Sequence, residues 1–427
     1  MTEPPTVDDD RRRNYKPPRP LDPESFPHKA RSGVLPGTIE NMEHLLDGYG
    51  ISVRYDVIRK KLLVRSDLWS STSDNCDNVA LTNIVSFASL NRLARSDVEA
   101  LVAAVGDKRP YNPVQEWIES RPWDGRDRLS DIYGTLEVRD DYPVALKEVL
   151  IHKWLLSAVA AALRPRFRSR GVLTLQGPQS MGKTQWVASL VPDAELRAAV
   201  VKLDHHMDAH NKDSILGAVC HWLVEIGELD SAMRRDIARL KGVLTRDSDK
   251  VRKPYARAES EMFRKTVFAA TVNHQRFLAD DTGNSRWWVL PLVRVDWQHS
   301  IDMQQLFAQL AKDLEAGAAW WLTAEEERLL DEQNRPHRAI SAIEEQILDE
   351  LELERVNEAD LPAMSARDVL VHLDIKYPTN PQCKECAGVL REYLGESKRI
   401  QGKDTWRIPL RRDQQRTFAV RTKDPFD

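Results

Sequence analysis

The sequence predicts a multidomain α/β protein built on a parallel sheet, and three observations carry that prediction. The first is a complete phosphate-binding pattern, Gly177-Pro178-Gln179-Ser180-Met181-Gly182-Lys183-Thr184. The second is a set of short, β-branched apolar runs before and after it: Val172–Gln176, Val219–Ile226 and Lys265–Asn273. The third is the helical periodicity of the segments between them, the alternation that builds a parallel sheet covered by helices. At 427 residues and 48.9 kDa, the chain has room for two or three domains with sizeable cores. Its 62 basic and 66 acidic residues give a net charge of −4, so any surface for nucleic acid must be local. No apolar run approaches a membrane span, no leader pattern opens the chain, and four cysteines fit a reducing cytoplasm.

Taken in order, residues 1–34 combine Asp8–Asp10, Arg11–Arg13 and scattered prolines, the composition of a disordered tail; a charged linker and a basic nucleic-acid arm are its two readings. Residues 35–110 predict a small α+β accessory domain, with helices at Ile39–Asp47 and Ser96–Val105 around strands Ile51–Tyr55 and Lys61–Val64. Residues 111–335 form the predicted core, entered through Trp117–Leu129 and a long helix from Val144 to Leu163. After Leu292 the pattern is helical to Leu330 and breaks at Gln333-Asn334-Arg335-Pro336. Residues 336–360 predict an acidic helical linker with a solvated face.

In the strand–loop–helix context of residues 172–190, each residue type of the pattern has a physical task. The glycines let backbone N–H groups of the loop curl around β- and γ-phosphates at a positive helix N-terminus, Lys183 neutralises their charge, and the Thr184 hydroxyl suits Mg²⁺. The predicted strand Val219–Ile226 leads into two acids, Glu225 and Glu228, which suit a Mg²⁺ ligand and a general base, with Glu228 ranked first as the base. One of the two simply facing solvent is the plainer alternative. Asp230 or Ser231 is placed to cap a helix whose core face carries Met233, Ile237, Leu240 and Leu244. Residues 246–257 then place Lys250, Arg252, Lys253, Tyr255 and Arg257 in a loop or hairpin, cations for phosphates and a ring for stacking. A charged surface hairpin is the alternative. Asn273 ends the third strand, where an amide suits a water held against the γ-phosphate. Arg286 reads either as an arginine finger acting on a neighbouring subunit or as a salt-bridged structural arginine.

The runs GPQSMGKTQW, WLVEIGELD, RKPYAR, ATVNHQRFL and DDTGNSRWWVLPL, with RPWDGRDRL upstream, resemble the virulence-associated protein E family of phage and prophage ATPases, related to superfamily 3 helicases. The resemblance covers about residues 110–292 and implies an AAA+-like core with ATP and Mg²⁺. It also implies a Walker A pair in Lys183 and Thr184, Walker B acids in Glu225 and Glu228, a sensor in Asn273 and a finger in Arg286. Two positions depart from it. Ser180 replaces a usual glycine, expected to be harmless, and Ser285 replaces a usual first arginine, leaving Arg286 as the one candidate finger.

Residues 361–427 carry a Ser365-x-x-Asp368 capping box, helices through Leu373 and from Cys383 to Leu394, and a basic-tipped hairpin at Lys398–Ile408, the order of a winged helix. Their 13 basic and 9 acidic residues fit DNA, and such domains also bind proteins. Cys383 and Cys386 read as ordinary helix residues, with zinc as the sharper alternative. These readings combine into an ATP-dependent DNA helicase of a phage or mobile element in a bacterial cytoplasm. It would act as a homo-oligomeric ring, a hexamer, on single-stranded and forked duplex DNA, with a separate primase or origin-binding protein and no membrane. An ATPase that remodels or packages DNA without unwinding, and a nucleotide-switched DNA-binding regulator, are the alternatives.

Overall fold

The computed structural model describes residues 18–29, 33–72, 74–227, 229, 239–251, 260–278, 284–339, 341–358, 360–400 and 402–411. The described part divides into two units, the second made of Leu278 and the residues from His337 onward.

At the centre of the first unit is a six-stranded sheet in the order β4-β11-β5-β10-β7-β6. Its strands are β4 (Leu136–Val138), β5 (Val172–Gln176), β6 (Val201–Lys202), β7 (Leu223–Ile226), β10 (Val267–Val272) and β11 (Trp287–Val295). All neighbours are parallel except the edge pair β4–β11. A parallel sheet is covered on both faces, which is why its strands read as continuous apolar runs rather than alternating ones. Helix Val144–Leu163 crosses one face with thirteen buried residues. Three tryptophans fix the packing by donating from their indoles: Trp154 to Phe268 O at 2.8 Å, Trp222 to Ala158 O at 2.8 Å and Trp186 to Thr135 Oγ1 at 2.8 Å.

The RPWDGRDRL run proves to be a latch. Asp124 and Arg128 form a two-pronged ion pair at 2.7 and 2.6 Å. Buried glutamines of helix Met303–Glu315 then hold the loop. Gln304 Nε2 donates to Arg121 O at 2.9 Å, Gln305 accepts from Asp124 N at 2.8 Å, and Gln309 accepts from Arg128 N at 3.0 Å while donating to Asp127 at 2.7 Å.

Around Met42, Leu45, Val53, Ile84 and Val102 a second apolar cluster builds the N-terminal layer, with the three-stranded sheet β2 (Lys61–Arg65), β1 (Ser52–Asp56) and β3 (Pro110–Tyr111). The predicted tail ends earlier than expected. Phe26 is buried in that cluster, Leu21 packs against it, and Leu21 N donates to Asn91 Oδ1 at 2.7 Å. Full burial of the Phe26 side chain offsets the ordering of this short segment by about 1.5–3 kcal/mol, and the partly buried Leu21 adds to it. The arginines at 11–13 lie outside the described residues.

Two further boundaries shift. Residues 212–219 are a helix, so β7 starts only at Leu223, because Trp222 turns in under the helix across the sheet. β11 continues to Val295 rather than giving way to helix after Leu292, since its last residues pair with β4. The strands β8 (Ser248–Val251) and β9 (Ser260–Phe263) form an antiparallel ribbon.

In the second unit, helices Ala366–His372 and Asn380–Leu394 precede the antiparallel strands β13 (Lys398–Ile400) and β14 (Lys403–Arg407), with a short β12 (Ala363–Ser365) added to β14. The expected acidic linker is instead part of this unit. Helix Ala342–Glu350 buries Ile347 among Val369 and Leu390, with Leu351 beside it, and buried Glu344 pairs with Arg338 at 3.4 Å. Cys386 is packed in the same cluster, its thiol donates to Ala366 O at 3.4 Å, and burial pushes it up to about 12.

Candidate functional site

The carboxyl ends of β5, β10 and β7 lie side by side, with Val272 paired to Gln176 and Ala270 to Ile226. From β10 the chain passes to β11 on the other side of β5, so the order switches direction beside β5, where open α/β sheets bind ligands. Gly177 extends the ladder by donating to Val272 O at 3.1 Å. A side chain at Gly177 would meet Leu292 O at 2.9 Å, so only glycine fits there. Pro178, Gln179 and Ser180 are exposed, Met181 packs against the core, and helix Lys183–Ser189 follows Gly182 at φ +92°.

Lys183 is 6% exposed, and its ammonium donates to Gly177 O at 2.7 Å, Pro178 O at 2.7 Å and Asn273 Oδ1 at 3.0 Å. Burial pulls its pKa below the usual lysine value, and the negative charge of Glu225 opposes that. Asn273 thus meets the lysine directly, a contact the sequence reading did not assign to it.

Glu225 is fully buried at the centre of the site. Its carboxylate accepts from Thr271 Oγ1 at 2.6 Å and from Asp204 N at 2.7 Å, and the Thr184 side chain lies near enough to favour its charged form. Burial pushes its pKa above the ordinary glutamate value, while Thr271, the Asp204 N–H and Thr184 pull it back. Thr271 and Asp204 went unnoticed in the sequence. Thr271 sits inside a run that reads only as strand, and Asp204 follows a two-residue strand with no signal of its own. Its left-handed φ of +49° is a conformation Asp tolerates better than most residues.

The expectation that Ser180 is harmless needs correction: its φ is +63°. A residue with a Cβ in that region carries roughly 1–2 kcal/mol of local strain that glycine would not.

Arg286 lies elsewhere. It ends a 3-10 turn, and Trp287 after it pairs with Val172, the first residue of β5, whereas the phosphate loop leaves β5 after Gln176. Four residues of strand separate the two edges by about 13 Å. No ion pair or hydrogen bond joins the Arg286 side chain to another described residue, so the salt-bridged alternative has no partner among them. Glu228 and the loop residues Arg252, Lys253, Tyr255 and Arg257 lie outside the described residues, as do Asp230, Ser231, Met233 and Ile237. Lys250 falls on β8, and Leu240 and Leu244 are buried. Among the described residues, no three histidine, cysteine or carboxylate side chains gather as metal ligands. No helix among them is long and apolar enough to cross a membrane.

Residues 118–339 match the family described as the virulence-associated protein E-like domain. That is more than half of the 427 residues, and the chain belongs to this family. The match reaches beyond Leu292 to include the glutamine-bearing helix of the latch. Two solved structures of the NrS-1 C-terminal region in its apo form are similar. One is 14% identical with a TM-score of 0.37, covering 87% of this chain and 98% of that one. The other, an A form, is 13% identical with a TM-score of 0.38 and covers 86% and 98%. No curated protein matches the chain.

Proposed function

We propose that this chain is an ATP hydrolase with an AAA+-like, superfamily 3 type P-loop core, a DNA helicase acting in replication of a phage or mobile element. The observation that carries the proposal is the convergence of Lys183, Thr184, Glu225 and Asn273 at the ends of adjacent parallel strands. In this reading, the N–H groups before helix Lys183–Ser189 and the Lys183 ammonium receive the β- and γ-phosphates. The ammonium exchanges its bonds to Gly177 O and Pro178 O for phosphate oxygens. Asn273, at hydrogen-bonding distance from it, orients the attacking water. Thr184 and Glu225 are neighbouring hard oxygen donors, the pair that would hold Mg²⁺, which supplies charge neutralisation at the phosphates. Glu228 is the proposed base.

The ribbon of β8 and β9 would carry Lys250 and the basic loop beyond it onto single-stranded DNA, and the second unit is read as a winged helix. Because Arg286 is far from its own loop, it acts on the nucleotide of a neighbouring copy, which calls for a ring, proposed as a hexamer in the bacterial cytoplasm. A separate primase or origin-binding protein would complete the replication machinery.

ATP hydrolysis with and without single-stranded DNA, strand displacement on a fork and the mass of the ATP-bound assembly test this reading. DNA-stimulated hydrolysis without displacement would favour a remodelling or packaging ATPase. Slow, unstimulated turnover would favour a nucleotide-switched regulator. Glu228→Gln should trap ATP, and normal turnover of that variant would refute the assignment of the base.

A further inference from the structure

The amino edge of the central sheet, opposite the phosphate loop, carries a polar cavity. Its volume is about 270 Å³, and Arg168, Arg170, Thr245, Ser285, Arg286 and Trp321 are among its walls. Arg168 and Arg170 belong to the connection from helix Val144–Leu163 into β5, and Ser285 and Arg286 to the turn before β11. Pairing of Trp287 with Val172 sets the two connections side by side. Ser169 is buried between the exposed Arg168 and Arg170, so the alternation sends both guanidinium groups outward together.

Three cations share this cavity with one carboxylate, Glu327. Arg168 is tied to Thr245 O at 3.1 Å, whereas no ion pair or hydrogen bond joins the side chains of Arg170, Arg286 or Glu327 to another described residue. Like charges held together in this way are stabilised by an anion, and the planar guanidinium fork matches phosphate oxygens. The nucleotide on the chain's own loop cannot fill the site, because the length of β5 lies between them. The three arginines line one small cavity, which suits a compact polyanion better than the evenly spaced charges of a nucleic-acid strand.

We propose that Arg170 acts beside Arg286 as a second cation for the phosphates of a nucleotide bound to a neighbouring copy of this chain, a proposal that rests on the ring reading above. Ser285 contributes a hydroxyl where it could contribute no charge, and Arg170 supplies that charge from a different strand connection. As the water oxygen bonds to the γ-phosphorus, the bond to the β–γ bridging oxygen breaks and its electron pair leaves with ADP. The water proton is released with the products, ADP and phosphate. The two guanidinium groups stabilise the migrating charge and form no bond themselves.

Steady-state hydrolysis and fluorescent-ATP binding on the full chain test the proposal. Arg170→Ala is expected to lower kcat by about tenfold or more, with nucleotide affinity unchanged because the loop of the same subunit is intact. Arg170→Lys should recover part of the rate. Equal mixtures sort the position of the residue. Arg170→Ala with Lys183→Ala regains activity, as Arg286→Ala with Lys183→Ala does, through the roughly one quarter of interfaces that join an intact loop to an intact pocket. Arg170→Ala with Arg286→Ala regains none, because both lesions fall in the same pocket. Normal kcat for Arg170→Ala overturns the proposal, including when single-stranded DNA binding falls instead. Recovery in the Arg170→Ala and Arg286→Ala mixture also overturns it, by placing Arg170 with the loop of its own subunit. Normal turnover of Arg286→Ala would instead overturn the trans reading itself.

Discussion

The Lys183 ammonium and the Asn273 side-chain oxygen lie 3.0 Å apart, although 90 residues separate them in the chain. Parallel pairing of β5 with β10 creates that contact, and it holds the cation at the mouth of the phosphate loop before any phosphate arrives. Lys183→Ala should therefore lower ATP hydrolysis by about a thousandfold, the scale on which single charge-stabilising donors act. The fold should survive, with an unchanged far-UV circular dichroism spectrum. Asn273→Ala should cost about tenfold or more in kcat with a smaller change in KM, as expected when an orienting group is lost and phosphate binding is kept.

The loop backbone makes opposite predictions at two positions. At Gly182, φ is +92° and an added Cβ would lie 2.3 Å from the Trp297 ring, so Gly182→Ala should cost about 1–3 kcal/mol and weaken ATP binding. At Ser180, φ is +63° and relief of strain outweighs the extra freedom glycine gives the unfolded chain. Ser180→Gly should be neutral or stabilising by up to about 1 kcal/mol. Urea unfolding of both variants measures the pair, and a destabilised Ser180→Gly would show that the hydroxyl has a contact of its own.

The latch gives stability a pH dependence of known sign. The Arg128 guanidinium holds the Asp124 carboxyl well below its ordinary value of 3.8. A depressed carboxylate contributes stability that is present above the unfolded value and is lost as pH falls through the folded one. Asp124→Asn should therefore melt below the wild type at neutral pH. The gap should begin to close only as pH falls below about 4, and a gap constant down to the acid limit of folding would rule the ion pair out as its cause.

The ribbon prediction concerns salt. Replacing Lys250, Arg252 and Lys253 together with alanine should weaken single-stranded DNA binding and reduce the slope of log K against log salt by about two units, since each single-strand phosphate contact contributes about 0.7. Basal hydrolysis should remain. An unchanged slope would leave the second unit as the main DNA contact.

The short-range features were legible in the sequence because they depend on neighbours in the chain. The phosphate loop, the helix Val144–Leu163 and the strand Val172–Gln176 occupy the predicted positions, since glycine spacing, apolar periodicity and β-branching act within a few residues. The Ser365–Asp368 capping box forms for the same reason. Register and depth depend on partners far along the chain. Tertiary packing alone turned the end of a supposed tail into core through Phe26 and drew an acidic helix into the second unit through Ile347. Long-range pairing also set Thr271 and Asp204 around Glu225, and set the Arg286 turn at the edge of β5 opposite its own loop. Residue types determined which chemistry the chain can carry, whereas strand order decided which of those residues meet, because a sheet brings together positions that local sequence cannot relate.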